Sequence, residues 1–217
     1  MPPSARLLAI NADSLNTFIG ALNFIGSKTL DSERAAEKWP RQVPLDRLFS
    51  RTPVVKKILA ELEREERMFF GSGHLAMVSG EAAARYLAGG WLEEYTFACS
   101  CAAGGDEVSW SQVVSWDMSA EKPVSNEFDC LIMRSNRLYL LECKTRNFSS
   151  GSSEVVYKLD SLKDAIAGVY GLGALVSARP LPEHLRSRAD ARKHQVFGPA
   201  ELREFTAVLK EWLNDRG

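Results

Sequence analysis

Two carboxylates and a lysine stand close together in the middle of the chain. Asp129 lies in the apolar run 126–134, and Glu142 and Lys144 lie two positions apart in the run 137–144. A Ser-Asn pair between the runs is typical of the tight turn of a β-hairpin. Because side chains alternate along a strand, Glu142 and Lys144 share one face, and the hairpin can bring Asp129 to the same point.

These residue types suit the hydrolysis of a phosphodiester bond. Carboxylate oxygens are the ligands that Mg²⁺ or Mn²⁺ prefers, so Asp129 and Glu142 are the predicted metal ligands, with the backbone carbonyl of Cys143 as a further oxygen. Lys144 would orient the attacking water or stabilise charge in the transition state. The alternative is that both acids only pair with Lys144 on a surface. The apolar flanking residues favour the site, because buried charges need a reason beyond solubility.

Four short motifs carry a resemblance to a known family. They are Gly-Gly-Trp-Leu-Glu-Glu at 89–94, Asn-Glu-Phe-Asp at 126–129, Glu-Cys-Lys-Thr at 142–145 and Tyr-Lys-Leu-Asp-Ser at 157–161. Together they resemble the PD-(D/E)xK, or restriction-endonuclease-like, nucleases. Within that superfamily they are similar to the nuclease domain fused to CARF sensor domains in CRISPR-associated, cyclic-oligoadenylate-activated nucleases. The resemblance covers residues 70–180.

The resemblance implies further site residues. An acid from the preceding helix completes the metal site in such proteins, which points to Glu93, with Glu94 as the other choice. Either could instead face solvent. Lys158 lies on the helix after the hairpin, where a polar residue faces the site. The resemblance also implies a DNA or RNA substrate, a role in antiviral defence, a homodimer and a CARF sensor domain.

Periodicity and turn residues predict the fold. From Trp91 onward they give helix, strand, strand, strand, helix, strand, which is the αβββαβ core of a restriction-endonuclease-like α/β fold with a mixed central sheet. Residues 71–217 are assigned to this nuclease domain, and residues 1–70 to a helical N-terminal arm. Within the arm, apolar stripes predict helices at 14–25 and 54–70, and each stripe must be buried on the core or on another chain. We expect the arm to help form a two-fold interface.

Composition sets a few limits. No run approaches the roughly 18 apolar residues that a membrane span needs, and the first residues lack the pattern of a secretory signal. We therefore expect a cytoplasmic protein with no membrane partner and with its four cysteines reduced and buried. The net charge of −1 argues against avid, nonspecific binding to nucleic acid. The basic stretch from Arg179 to Lys193 is interpreted as a solvated helix face, and Asp160 as exposed.

Two other functions are open from the sequence. One is a catalytically silent nucleic-acid-binding or interaction module on the same fold, and the other is a Holliday-junction resolvase or repair nuclease. A CARF sensor would need its own βα units, and none is evident in residues 1–70. The chain is therefore expected to be a sensorless homologue, a fragment with the sensor in cis, or a subunit regulated in trans. Trp110 and Trp116 are interpreted as core residues, with base stacking as the alternative.

Overall fold

The structure is a computed structural model that describes residues 1–30, 41–44, 52–71, 75–116, 124–148 and 153–215. The sequence also predicts a short segment at 45–49 and a loop at 148–153. The segment and most of the loop lie outside the described residues. The helices are α1 to α8 in chain order: Pro3–Ile10, Asn16–Leu30, Pro53–Arg64, Glu81–Arg85, Trp91–Ala103, Ser153–Ala167, Glu183–Ala191 and Phe205–Asn214. The strands are β1 to β8: Arg41–Pro44, Met68–Phe70, Leu75–Val78, Glu107–Trp116, Val124–Arg134, Arg137–Lys144, Leu172–Ser177 and Gln195–Phe197.

A five-stranded mixed sheet forms the centre of the molecule, in the order β4-β5-β6-β7-β8. The first two pairings are antiparallel, and β7 and β8 join in parallel. Helix α5 contacts β4, β5 and β6, whereas α6 packs on β6 and β7. This confirms the predicted αβββαβ core and its mixed sheet.

The hairpin forms because its sequence alternates between two buried faces. Tyr139, Leu141 and Cys143 belong to the main core, while Leu140 packs with Phe128 in the cluster beneath α6. Alternation along β6 therefore places Glu142 and Lys144 on the face of Leu140, toward α6. The turn residues Ser135 and Asn136 both have positive φ, as a type I′ turn requires.

The N-terminal segment departs from the purely helical arm that the sequence predicted. Helix α3 ends at Arg64, so the prediction of one helix to residue 70 is wrong at its C-terminal end. Met68–Phe70 instead forms β2, and β1 and β2 flank β3 in a small antiparallel sheet. Met68 faces the core and Phe69 faces outward, because alternation rather than a helical stripe governs these residues.

Both apolar stripes of the arm are buried within this chain. Phe18, Ile19 and Leu22 of α2 and Ile58 and Leu62 of α3 belong to the same core as α5 and the sheet. Helix α2 also crosses the wide turn Tyr86–Gly90 closely, since a Cβ on Gly26 would lie 2.4 Å from the backbone nitrogen of Ala88. The stripes therefore give no separate indication of a second chain, and the dimer remains a prediction.

Candidate active site

Asp129 lies where the sheet is interrupted on both sides of its strand. Toward β6, the pairing with β5 ends at Cys130 and Leu141, one residue short of Asp129 and Glu142. Toward β4, the pairing skips Ser111, whose φ of 49° takes it out of the strand conformation. The Asp129 carboxylate instead accepts a hydrogen bond of 2.6 Å from the backbone N–H of Cys143. A side-chain oxygen thus takes the place of a strand carbonyl and fixes the carboxylate beside the second acid.

Glu142 and Lys144 form a tight ion pair at this point. Lys144 Nζ donates a hydrogen bond of 2.6 Å to Glu142 Oε1, and Lys158 Nζ of α6 lies 3.7 Å from the same oxygen. The Glu142 side chain is only 7% exposed, whereas that of Lys158 is 51% exposed. Burial alone would lower the pKa of Lys144, but the charge of Glu142 and its hydrogen bond outweigh that effect and raise it.

Glu93 reaches the same cluster from the first turn of α5. Burial, followed by the charges of Asp129 and Glu127, raises the pKa of Glu93 to about 7. Its neighbour Glu94 instead pairs with Arg67 at 3.4 Å. The helix start is set by the sharp turn at Gly89, where φ is 147° and a Cβ would lie 2.8 Å from Thr145 Oγ1. A glycine at this position therefore lets α5 begin beside the end of β6.

The negative charges of the clustered acids are not fully balanced by the neighbouring lysines. Burial and then the charge of Glu142 raise the pKa of Asp129 to about 6, although Lys144 and the Cys143 N–H act in the opposite direction. Among the described residues, no three His, Cys, Asp or Glu side chains already form a complete metal site. The donor set nevertheless fits a hard divalent cation, because carboxylate oxygens repel one another here and a cation would relieve that repulsion.

The structure thus gathers Glu93, Asp129, Glu142, Lys144 and Lys158, and their roles stay predictions. Cys143 contributes its backbone to this site, while its buried thiol lies 3.4 Å from Thr96 Oγ1 and has a pKa raised well above the ordinary value by burial. The predicted use of its carbonyl as a metal ligand also stays a prediction.

Several other sequence-based interpretations are wrong. Asp160 is mostly buried and pairs with Arg192 and Lys163. Cys101 is exposed, although the other three cysteines are buried and all four are free. Trp110 is 44% exposed and does not belong to the core.

Among the described helices, none is long and apolar enough to cross a membrane.

A cleft of about 540 Å³ borders Glu93 of the cluster. Its lining also includes the acid Glu127, Trp110 and Ser111 of the edge strand, and the cations Arg67 and Arg85. The ring of Trp110 packs on that of Phe97 with centroids 5.8 Å apart, which holds the indole in place. These residues could not be grouped from the sequence, because the irregular position at Ser111 breaks the alternation by which strand faces are assigned.

The mixed five-stranded sheet has the nuclease fold that the sequence predicted. Asp129 lies on β5, Glu142 and Lys144 lie on β6, and Glu93 lies on α5. The chain belongs to the Card1-like endonuclease domain family, whose model matches residues 80–216. This confirms the resemblance that the four motifs indicated. A comparison with curated protein sequences found no match.

Two solved structures are similar over almost the whole chain. Protein VC1899 from Vibrio cholerae is 24% identical with a TM-score of 0.83, covering 98% of this chain and 55% of that one. Can2 from Sulfobacillus thermosulfidooxidans, solved in complex with cyclic tetra-adenylate, is 22% identical with a TM-score of 0.72, covering 97% and 55%. The chain spans about half the length of each. At this level of identity the likeness shows the fold, and it includes the N-terminal segment that the family model leaves out.

Proposed function

We propose that this protein is a divalent-metal-dependent endonuclease that hydrolyses phosphodiester bonds of DNA or RNA in CRISPR-associated antiviral defence. The observation that supports this most is the placing of Asp129 beside Glu142, with Lys144 paired to Glu142 and Glu93 close enough for its charge to interact with theirs. Membership of the Card1-like endonuclease family supports the class of reaction. The metal, the substrate and the biological setting belong to the proposal.

Asp129, Glu142 and Glu93 would hold Mg²⁺ or Mn²⁺. When bound, such a cation stabilises charge on the phosphate and makes water a better nucleophile. The Cys143 N–H keeps Asp129 aimed at the site, and this support costs no reorganisation during the reaction.

Lys144 is the group suited to the developing negative charge. Attack by water forms one P–O bond and breaks another, so water loses a proton and the leaving oxygen gains one. Because its pKa is raised, Lys144 stays protonated and offers a fixed positive charge throughout. Lys158 adds a second, more exposed ammonium on the same side as Glu142.

Regulation by a cyclic-oligoadenylate sensor is a further part of the proposal. Can2 was solved with cyclic tetra-adenylate, and this chain aligns with about half of it. A CARF domain, in cis or in trans, would then control the activity of a homodimer. Adding cyclic oligoadenylates to the cleavage assay, alone and with a candidate sensor protein, tests this separately from the chemistry.

The central experiment is a cleavage assay on single- and double-stranded DNA and RNA. We expect cleavage of at least one substrate with Mg²⁺ or Mn²⁺, and none with EDTA or with Glu142→Ala. Exposed Glu154 on α6 provides the matched control, because Glu154→Gln removes a carboxylate outside the cluster. Cleavage that persists in EDTA, or in Glu142→Ala, would exclude the proposed site.

A further inference from the structure

Arg179 is a buried cation with no anionic partner among the described residues. It is 3% exposed and lies just after β7. Its Nε donates a hydrogen bond of 2.9 Å to the Thr145 carbonyl, and its Nη1 donates to the backbone and side-chain oxygens of Asn16. No described carboxylate pairs with it, and burial lowers its pKa. Buried charges are normally paired because desolvation is costly, and the part of the chain that the structure describes supplies no counter-ion for this guanidinium.

Arg179 borders a cavity of about 260 Å³ whose lining contains no acid among the described residues. The lining residues are Gly20, Asn23, Phe24, Ser27, Arg146, Asn147 and Arg179. Arg146 holds its place through a hydrogen bond of 2.9 Å from Nη2 to Ser27 Oγ. Arg179 Nη2 makes no hydrogen bond to a described residue and lies 2.6 Å from where a Cβ on Gly20 would be. Two guanidinium groups and no carboxylate make this a cavity for an anion.

Residues of the cavity form hydrogen bonds to the end of β6, the strand that carries the Glu142–Lys144 ion pair. Thr145 follows Lys144, and its carbonyl accepts hydrogen bonds from Asn23 Nδ2 at 2.7 Å and from Arg179 Nε. Arg146 is two residues beyond Lys144, a span of about 7 Å at most. Phosphates recur every 3.4 Å or so of axis along one strand of a duplex, so a span of about 7 Å corresponds to one or two nucleotides. A strand with one phosphate at Glu142 and Lys144 therefore brings a neighbouring phosphate within reach of Arg146.

We propose that this cavity, between α2 and the ends of β6 and β7, binds a phosphate of the nucleic-acid strand that flanks the phosphate being cut. The inference rests on the proposed nuclease function. It adds the direction in which the nucleic-acid strand leaves the phosphate that is cut. Phe24 supports a strand rather than a free phosphate. Its ring is 64% exposed, and Lys28 Nζ lies 5.4 Å from the ring centroid. An exposed ring beside two arginines can stack the base that adjoins the bound phosphate.

The test measures binding of labelled 12-nucleotide single-stranded RNA and DNA by fluorescence anisotropy over a salt series. Lys144→Met is used as the background so that the probe stays intact. We expect Arg146→Ala to weaken binding about 3- to 10-fold and to reduce the slope of log K against log salt by about 0.7. The matched control is Arg203→Ala, an exposed arginine on the turn Glu201–Glu204.

A probe in which one phosphate is replaced by an uncharged linkage shows which phosphate of the strand contacts Arg146. One methylphosphonate is moved along the probe, and one position should weaken binding to the background protein but not to Arg146→Ala. Arg179→Lys keeps the charge while losing the forked hydrogen bonds to Thr145 and Asn16, so its affinity should fall as well. Its melting temperature is measured alongside, and Arg146→Ala tests the site even if Arg179→Lys does not fold.

The outcomes separate this inference from the nuclease proposal. If the unmodified protein cuts a substrate and Arg146→Ala binds with unchanged affinity and slope, the phosphate site is wrong and the nuclease proposal stands. If inorganic phosphate raises the melting temperature of the parent but not of Arg146→Ala, while strand binding is unchanged, the cavity serves a free phosphate and the inference also fails. A parent that neither cuts nor binds any probe contradicts the nuclease proposal itself.

Discussion

Lys144 and Glu142, two residues apart on β6, share a hydrogen bond of 2.6 Å that joins an ammonium to a carboxylate on one face of the strand. The positive charge that balances the buried Glu142 carboxylate therefore comes from Lys144, which lies within the candidate active site. A metal cation bound to Glu142 would therefore share that carboxylate with Lys144. Replacing each residue in turn separates the part that Glu142 plays in metal binding from the part that Lys144 plays in the chemical step.

Replacing Lys144 should impair chemistry more than metal binding. In Lys144→Met we expect kcat to fall about 10²- to 10³-fold, the usual cost of removing a donor to transition-state charge. Metal affinity, measured by calorimetry, should change little, because both carboxylates remain. Lys144→Arg should rescue poorly, since a planar fork does not replace a compact ammonium. Lost metal binding combined with unchanged cleavage of bound substrate would contradict this role.

Removing either acid should abolish cleavage while leaving the fold intact. Asp129→Ala and Glu142→Ala each remove a predicted ligand, so the metal and the electrostatic stabilisation it brings are lost together. Circular dichroism checks folding, and Glu154→Gln serves as the control for loss of an exposed carboxylate. Full activity of either alanine variant at ordinary Mg²⁺ concentration would reject the site.

The pH dependence of stability should reveal the repulsion around Glu93. Its folded pKa of about 7 exceeds the ordinary value of 4.5, so the ionised form destabilises the metal-free fold. The penalty is full above pH 7 and disappears as pH falls toward 4.5. Glu93→Gln should therefore be more stable than the parent at pH 8, by on the order of 2 kcal/mol, and this advantage should fall to less than half near pH 5.

Thermal melting between pH 5 and pH 8 measures this difference. Glu107→Gln, which removes an exposed carboxylate on the edge strand, is the control. Mg²⁺ should reduce or reverse the advantage of Glu93→Gln, because a cation stabilises the ionised acid. An advantage that grows as pH falls would show that Glu93 is not held in a repulsive cluster.

The hairpin and the site acids were predictable because local sequence governs them. Strand alternation and the Ser-Asn turn gave β6 its bounds, and the four motifs pointed to Glu93 and Lys158. Trp110 and Met68–Phe70 were not predictable in this way. An interrupted strand pairing at Ser111 exposes the tryptophan, and β2 exists only because β3 pairs with it. The burial of Arg179 depends on helix α2, which is over 150 residues away in sequence.

Trp110 should contribute to substrate binding rather than to the chemical step. Its ring is exposed, rests on Phe97 and borders the same cleft as Glu93. Because base stacking on an aromatic ring contributes about 1–3 kcal/mol, Trp110→Ala should raise KM about 5- to 100-fold with little change in kcat. Tyr170→Ala, which removes a ring that is 77% exposed, is the control. An equal effect of both variants would mean that Trp110 has no specific role.

The N-terminal segment should be required for folding and not only for assembly. Deleting residues 1–69 removes α1, α2 and α3, whose apolar residues complete the core around α5. We expect the remaining fragment to aggregate or to melt without cooperativity, because it would expose that core. A soluble fragment with a cooperative transition would show that the core closes without these helices.

Two neighbouring residues of α3 test the same point without a deletion. Ile58 is fully buried and Lys57 is exposed. Ile58→Ala should lower the free energy of unfolding by about 2–5 kcal/mol, while Lys57→Ala should change it by less than about 0.5 kcal/mol. Light scattering on both variants and the parent measures the oligomeric state. Because the stripe of α3 faces this chain's own core, the predicted dimer must use another surface and should persist in any Ile58→Ala protein that remains folded. Dissociation of a folded Ile58→Ala dimer to monomers would place the arm at the interface after all.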